Sequence, residues 1–206
     1  MVAWQAVSLL LDYPDEALLD RLEMVMGASH GLSGPVGEGI RDAVVRLRDT
    51  PVRQLQEKYV ETFDNRRRCN LFLTYFAHGD TRKRGMALLR FKQAYRDSGF
   101  EVTDEELPDH LCVVLEYAAT IDPERGLELL LGHRAGLELL RLSLREDGSA
   151  WAPAVESLCA TFPPLRGDER DAVRRLAAEG PPEEEVGLSP YASTDLPMPT
   201  VRGASA

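Results

Sequence analysis

Residues 70–80 read NLFLTYFAHGD, in which three aromatic side chains are followed at once by a His-Gly-Asp turn. Two related stretches lie on either side along the chain: YVETFD at residues 59–64 and LPDHLCVVLEY at residues 107–117. All three combine aromatic or aliphatic residues with a few carboxylates or histidines, a composition typical of peptide-binding grooves. The competing interpretation is that the aromatic residues belong to the hydrophobic core. These residues are Phe72, Tyr75 and Phe76, with Tyr59 and Phe63 upstream.

Apolar residues recur at helical spacing along most of the chain, as Leu18, Leu22 and Val25 do. No stretch alternates polar and apolar residues over any length, so the sequence predicts an all-α fold. We expect a single compact globule of about nine to ten helices over residues 1–179. Residues 180–206 contain five prolines and a run of three glutamates but few apolar residues. We expect a disordered, mobile tail there.

Turn residues and apolar spacing predict several boundaries and core positions. Gly27 to Gly39 is rich in Gly, Ser and Pro and is predicted to form a loop. One long, leucine-rich helix is predicted from Asp122 to Gly148, because Asp122-Pro123 is a helix-start signal. Another helix is expected from about Thr81 to Ser98. Its core candidates are Met86, Leu89, Phe91 and Tyr95.

A further helix is predicted to start at Thr103, because Thr103–Glu106 has the spacing of a capping box. In that helix Asp109 and Glu116 would lie two turns apart on one face. His110 and Tyr117 would form a second pair on its flank. Solvated carboxylates are the simpler interpretation of Asp109 and Glu116, and the alternative is that both line a groove and contact a bound helix.

The composition excludes several functional classes. The chain has 206 residues, of which 44% are apolar, and a net charge of −10. Such an acidic chain is not expected to bind nucleic acid or anionic lipid, since both attract positive charge. Its three cysteines match no metal-ligand spacing, and its N-terminus does not resemble a secretory leader. We therefore expect a cytoplasmic protein with no metal site, no catalytic motif and no membrane-inserted segment.

Positive charge is concentrated in one part of this acidic chain. Between Asn65 and Arg96 there are nine basic residues and one acid, Asp80. The simpler interpretation is a set of solvated helix faces. As a group, the basic residues could instead steer an acidic partner or a phosphate-rich ligand toward the aromatic cluster. The steering candidates are Arg66, Arg67, Arg68, Arg82, Lys83 and Arg84.

Taken in order, the three stretches resemble the NarJ family, the delta-subunit assembly chaperones of respiratory nitrate reductase. LLDYP at residues 10–14 fits the same pattern. Two positions depart from it: Thr62 stands where leucine is more usual, and Cys112 stands where proline is expected. The family is similar to the TorD and DmsD chaperones of molybdoenzymes, so the resemblance implies a TorD-like helical globule without enzymatic activity.

The resemblance also implies a partner and a task. The partner would be the apo catalytic (alpha) subunit of a membrane-bound nitrate reductase, bound through its N-terminal leader segment. The chaperone would assist insertion of the molybdenum bis-guanylyl dinucleotide cofactor before membrane assembly, with no cofactor bound permanently and with cofactor-delivery proteins as further partners. The alternatives are a chaperone of a different molybdoenzyme, a carrier of the cofactor itself, and a hydrolase that uses Asp109, His110 and Glu116.

We predict that an amphipathic helix of the partner docks its apolar side on the aromatic cluster, while acids and histidines contact its polar side. Histidine in such a site would make binding sensitive to pH. The predicted peptide-binding residues are Tyr59, Phe63, Leu71, Phe72, Tyr75, Phe76, His78, Asp80, Asp109, His110, Glu116 and Tyr117.

Overall fold

The structure, a computed structural model, describes residues 1–102 and 106–182. Within these ranges the regular elements are helical, and the predicted all-α fold is confirmed. Its eleven α-helices are α1 (Val2–Leu11), α2 (Leu18–Ser29), α3 (Gly34–Arg48), α4 (Val52–Tyr59), α5 (Tyr75–His78), α6 (Arg82–Asp97), α7 (Leu111–Thr120), α8 (Pro123–Gly132), α9 (Arg134–Glu146), α10 (Ala152–Ala160) and α11 (Gly167–Glu179). Most of the predicted tail, residues 183–206, lies outside the described residues, so the mobile tail and its boundary stay predictions.

Helix α1 lies at the centre of the core. It packs against α2, α3, α7 and α10, and α10 packs in turn on α3. Val7, Leu10 and Leu11 are at most 1% exposed, and burial of each aliphatic side chain contributes about 1.5–3 kcal/mol. Two polar side chains of α1 are satisfied inside this core: Trp4 Nε1 donates to Thr161 Oγ1 at 2.9 Å, and Ser8 Oγ donates to the Cys112 carbonyl at 3.0 Å.

The two aromatic residues of the YVETFD stretch, Tyr59 and Phe63, belong to the core, and α4 ends at Tyr59. Helix α4 continues into a π-helical turn at Val60–Asp64. The rings of Tyr59, Phe63 and Trp151 contact one another with centroids 4.7–5.5 Å apart. The Tyr59 hydroxyl donates to the Leu11 carbonyl at 3.0 Å, which ties this turn to the end of α1. The stretch therefore fixes the fold through packing of its aromatic rings.

The helix predicted from Thr103 is shorter than expected. Helix α7 begins at Leu111, because His110 has an extended backbone and the segment before it runs beside Leu71–Leu73. Asp109 thus precedes the helix, and the prediction that Asp109 and Glu116 share a helical face is wrong. Residues 103–105 of the predicted capping box lie outside the described residues.

Two other predicted boundaries are also wrong. The expected loop from Gly27 to Gly39 is mostly helical, because α2 extends to Ser29 and α3 already starts at Gly34 with a proline in its first turn. The single helix expected between Asp122 and Gly148 is divided at His133, whose backbone leaves the helical region. The break allows α8 to pack on α7, while α9 packs on α10 and α11.

Only the second half of α6 is buried. Phe91 and Tyr95 are 1% exposed, as predicted, and the Tyr95 hydroxyl donates to the Pro108 carbonyl at 2.6 Å. Met86 and Leu89 are 68% and 56% exposed, so their prediction as core residues is wrong. Both residues do follow the helical spacing of apolar residues, but no other described element covers the first half of the helix closely enough to bury them.

Candidate functional site

Two of the three sequence stretches are joined by backbone pairing. Leu73 N donates to the Asp109 carbonyl at 3.0 Å, and Leu111 N donates to the Leu71 carbonyl at 2.8 Å. Phe72 and His110 face each other across this short antiparallel bridge, with ring centroids 5.1 Å apart. Segments more than 30 residues apart in sequence therefore form one unit.

Asp109 is the centre of this unit. Its side chain is fully buried, and Oδ2 accepts hydrogen bonds from the Thr74 backbone N–H, at 3.1 Å, and from the Thr74 hydroxyl. Arg84 Nε donates to Thr74 Oγ1 at 3.1 Å, and Arg84 Nη2 lies 3.6 Å from Asp109 Oδ2. These contacts join the two stretches at their junction. The Asp109 carboxylate does not lie at the surface where a peptide would contact it.

Arg84 also forms its contacts within the chain. Its guanidinium carbon lies 5.2 Å from the centre of the Phe72 ring, and Nη1 donates to Asp80 Oδ1 at 3.0 Å. It therefore joins the His-Gly-Asp turn to Asp109 through one side chain. This position accounts for the acid of the turn, Asp80, which pairs with the arginine four residues later in the sequence.

The predicted peptide-binding residues divide into two groups by burial. The buried group holds the fold together, and the partly or fully exposed group is available to a partner. The buried residues are Tyr59, Phe63, Leu71, Tyr75, Phe76, Asp109 and Tyr117. The exposed or half-buried residues are Phe72, His78, Asp80, His110 and Glu116. The structure thus supports the core interpretation for most of the aromatic cluster, while the binding role of these residues stays a prediction.

A cavity of about 420 Å³ lies beside the aromatic stretch, between α5, α9 and α11. We call it the α5–α9 cavity. Its walls are mainly small or apolar, with a few polar groups at the edge. They include Leu73, Phe76, Ala77, His133, Ala135, Gly136, Ala172, Arg175, Leu176 and Glu179. A Cβ on Gly136 would lie only 2.5 Å from Phe76 Cδ2, so glycine is what allows α9 to approach α5 this closely.

The chain after α11 forms part of the rim of this cavity. Arg67 Nη2 donates to the carbonyls of Pro181 and Pro182 at 2.9 and 3.0 Å, and Arg67 Nε donates to the Tyr75 hydroxyl at 2.9 Å. Gly79 lies under the same segment with φ +55°, and a Cβ there would be 2.3 Å from the Pro182 carbonyl oxygen. Glycine in the His-Gly-Asp turn is therefore required both by its conformation and by this close approach.

The sequence profile of the nitrate reductase delta subunit matches residues 29–156, more than half of the chain. The chain belongs to this family. The match includes all three sequence stretches, but it ends before α11, which forms one side of the α5–α9 cavity.

Curated relatives of this chain have names that describe nitrate reductase proteins or their assembly chaperones. The nitrate reductase-like protein NarX of Mycobacterium tuberculosis is 40% identical over 78% of the chain, which spans only 24% of that protein's length. The nitrate reductase molybdenum cofactor assembly chaperone NarJ of Escherichia coli K12 is 32% identical, over 74% of the chain and 66% of NarJ. A Bacillus subtilis protein described as the same kind of chaperone is 31% identical, over 78% of the chain and 88% of its own length.

A solved structure resembles this fold. The crystal structure of an Archaeoglobus fulgidus protein described as a redox enzyme maturation protein superposes with a TM-score of 0.59 at 25% identity. The match covers 78% of this chain and 93% of the other. The helical architecture predicted from the resemblance is thus shared with a protein of that description.

The six predicted steering residues differ in the contacts they form. Arg66 pairs with Asp147 and with Glu61, and Arg67 and Arg84 hold the contacts described above. Arg68, Arg82 and Lys83 are exposed and form no ion pair with another described residue. Only these last three are available to steer a charged ligand without first breaking an internal pair.

Burial governs the titration of the groups near the site. Desolvation lowers the pKa of His110 and of His133, so both imidazoles are neutral at physiological pH. Burial raises the pKa of the Cys69 thiol to about 11 and that of Cys159 to about 12, so neither is a thiolate at physiological pH.

Among the described residues, no three metal-ligating side chains are grouped, and no helix is both long and apolar enough to cross a membrane.

Proposed function

We propose that this chain is an assembly chaperone for a respiratory nitrate reductase. It binds the apo catalytic subunit through that subunit's N-terminal segment and assists insertion of the molybdenum cofactor before the enzyme reaches the membrane. Membership of the delta-subunit family supports this role, and so do the chaperone names of the Escherichia coli and Bacillus subtilis relatives. The structural observation that carries the proposal is the α5–α9 cavity beside the aromatic stretch.

The shape and walls of this cavity suit apolar side chains of a bound segment. About 420 Å³ accommodates a few side chains and not a whole helix, so the segment lies across the opening and inserts its apolar residues. The exposed Ala77 and Ala172 and the half-buried Leu176 provide the cavity's accessible apolar surface. Arg175 and Glu179 at the edge pair with charged residues of the segment.

This arrangement differs from the groove predicted from the sequence. His110 and Glu116 do not line the cavity, and Asp109 is enclosed by Thr74 and Arg84. We assign Asp109 and Phe76 the role of holding the aromatic stretch in place, and Ala77, Ala172 and Leu176 the role of direct contact. The same enclosure of Asp109 favours binding over turnover, because a hydrolytic carboxylate must reach its substrate.

A matched pair of substitutions on α11 tests the site. Ala172 lines the cavity and Ala178, on the same helix, does not, and both are exposed. Ala172→Trp places a large ring in the cavity, so we expect it to weaken binding of a peptide with the partner's N-terminal sequence about tenfold, which is about 1.4 kcal/mol. Ala178→Trp should leave the affinity unchanged.

Isothermal titration calorimetry measures both affinities, and circular dichroism checks that the helices are retained. Equal affinity of the two folded variants would reject the α5–α9 cavity as the peptide site. Failure of the wild-type protein to bind the N-terminal peptide, while it still binds the whole apo subunit, would reject the assignment of that segment.

A further inference from the structure

A second cavity, of about 700 Å³, lies between α3, α9, α10 and the start of α11. We call it the arginine cavity. Five arginines line it against two glutamates, within a chain whose net charge is −10. The arginines are Arg46, Arg134, Arg141, Arg145 and Arg170, and the glutamates are Glu138 and Glu156. Arg46 is paired with Asp42, and the excess of positive charge that the other arginines leave in a concave site attracts anions.

One buried glutamate serves two of these arginines. Glu138 is 3% exposed, and its Oε1 lies 2.7 Å from Arg134 Nη2 and accepts from Arg134 Nε at 3.0 Å. Its other oxygen, Oε2, accepts from Arg141 Nε at 2.7 Å. One carboxylate thus balances two guanidinium groups, which leaves positive charge at the inner wall of the cavity.

Arg134 also has an unused donor. The residue is 7% exposed, and its guanidinium lies 4.6 Å from the centre of the Phe162 ring, which fixes its position. Its Nη1 is buried and has no hydrogen-bond partner within residues 1–102 and 106–182. Buried donors are nearly always paired in proteins, and this one, on a residue that lines the cavity, is available to an acceptor group of a ligand.

The outer part of the cavity contains arginines that are weakly engaged. Arg145 is 69% exposed in its side chain and lies 3.8 Å from Glu156. Arg170 forms no ion pair with any described residue. Both can turn toward a ligand without breaking a buried contact. Pro153 and Leu165 add an apolar wall between the charged groups.

We propose that the arginine cavity binds a small molecule that carries two linked phosphates. Guanidinium groups bind phosphate oxygens through two parallel hydrogen bonds, and several of them around one cavity fit more than one phosphate group. The volume agrees, since small-molecule sites span about 300–1,000 Å³ and a single phosphate would fill only a small part of it. The inference is independent of the α5–α9 cavity, because the two sites share no lining residue.

Calorimetric titration of the full chain with inorganic pyrophosphate tests the proposal. We expect one saturable site whose affinity falls as salt is raised, and at least about tenfold weaker binding of orthophosphate. Arg145→Gln and Arg170→Gln should each weaken pyrophosphate binding about tenfold, since each removes a charged hydrogen-bond donor. Arg53→Gln removes the same charge from an exposed position that does not line the cavity, and it should leave the pyrophosphate affinity unchanged.

Several results would overturn the proposal. The first is that the wild type does not bind pyrophosphate, and the second is that Arg53→Gln loses as much pyrophosphate affinity as the cavity variants do. The third is that orthophosphate binds as tightly as pyrophosphate. A hexaglutamate peptide that binds with the same dependence on Arg145 and Arg170, when pyrophosphate does not, would instead identify a site for an acidic polypeptide. Binding of the N-terminal partner peptide should be the same in all three variants, so failure here and failure of the proposed chaperone site are separable.

Discussion

The α5–α9 cavity and the arginine cavity use different faces of the same helix. Along α9, Ala135 and Gly136 line the first, whereas Arg134, Glu138, Arg141 and Arg145 line the second. The charged residues recur at three- and four-residue spacing, so the helical period places them in one row. One face gives close backbone approach and apolar walls, and the other gives concentrated charge. A single helix can therefore serve two chemically distinct sites.

The largest effect is expected where the charged face is buried. Glu138→Gln removes the carboxylate that Arg134 and Arg141 share, and leaves guanidinium groups unpaired in a buried site. We expect a loss of about 3 kcal/mol in the free energy of unfolding, measured by urea denaturation. Glu146→Gln, at an exposed position of the same helix, is the control and should change it by less than about 0.5 kcal/mol. A loss below about 1 kcal/mol in Glu138→Gln would show that the charged face contributes little to stability.

A smaller effect is expected on the face with small residues. Gly136→Ala places a methyl group within 2.5–2.8 Å of the Phe76 side chain, so α9 or α5 must shift. We expect a loss of about 2 kcal/mol in the free energy of unfolding, together with weaker binding of the partner peptide. Gly132→Ala meets no atom within 4 Å, so it should leave the free energy of unfolding unchanged or slightly increased, and it is the control for stability alone because Gly132 also lines the cavity. An equal change in the free energy of unfolding in the two variants would contradict the close approach of α9 to Phe76.

The smallest effect concerns pH at the α8–α9 junction. His133 is half-buried and packs on Phe91, and its Nδ1 lies 2.8 Å from the Leu129 carbonyl. Burial lowers its pKa in the folded protein, with Asp109 and the Leu129 carbonyl opposing that shift and His78 adding to it. Because the unfolded chain then binds the proton more readily, this contribution to stability is complete above a pH of about 6.5 and declines below it.

Unfolding midpoints at pH 7 and pH 5.5 measure this effect. We expect the wild type to lose more stability between these values than His133→Gln does, since other titrating groups are common to both proteins. An identical loss of stability in the two proteins would show that His133 does not cause the pH dependence of stability.

Local signals in the sequence predicted several elements correctly. Asp122 accepts a hydrogen bond from Arg125 N at 3.0 Å and Pro123 occupies the first turn of α8, as the Asp-Pro signal predicts. Gly99 has a positive φ of 72° after the end of α6, as expected for the glycine that stops a helix. These features depend on neighbours within one turn, so the sequence contains all the information that they need.

The sequence by itself determined the helical class, most of the helices and the family, since periodicity, caps and ordered motifs are local properties of the chain. The tertiary structure alone decided which apolar and charged faces are covered. It buried Asp109 between Thr74 and Arg84, exposed Met86, and brought Arg46 and Arg170 to the charged face of α9. These outcomes depend on contacts between segments far apart in sequence, and helical periodicity identifies a face without indicating what lies against it.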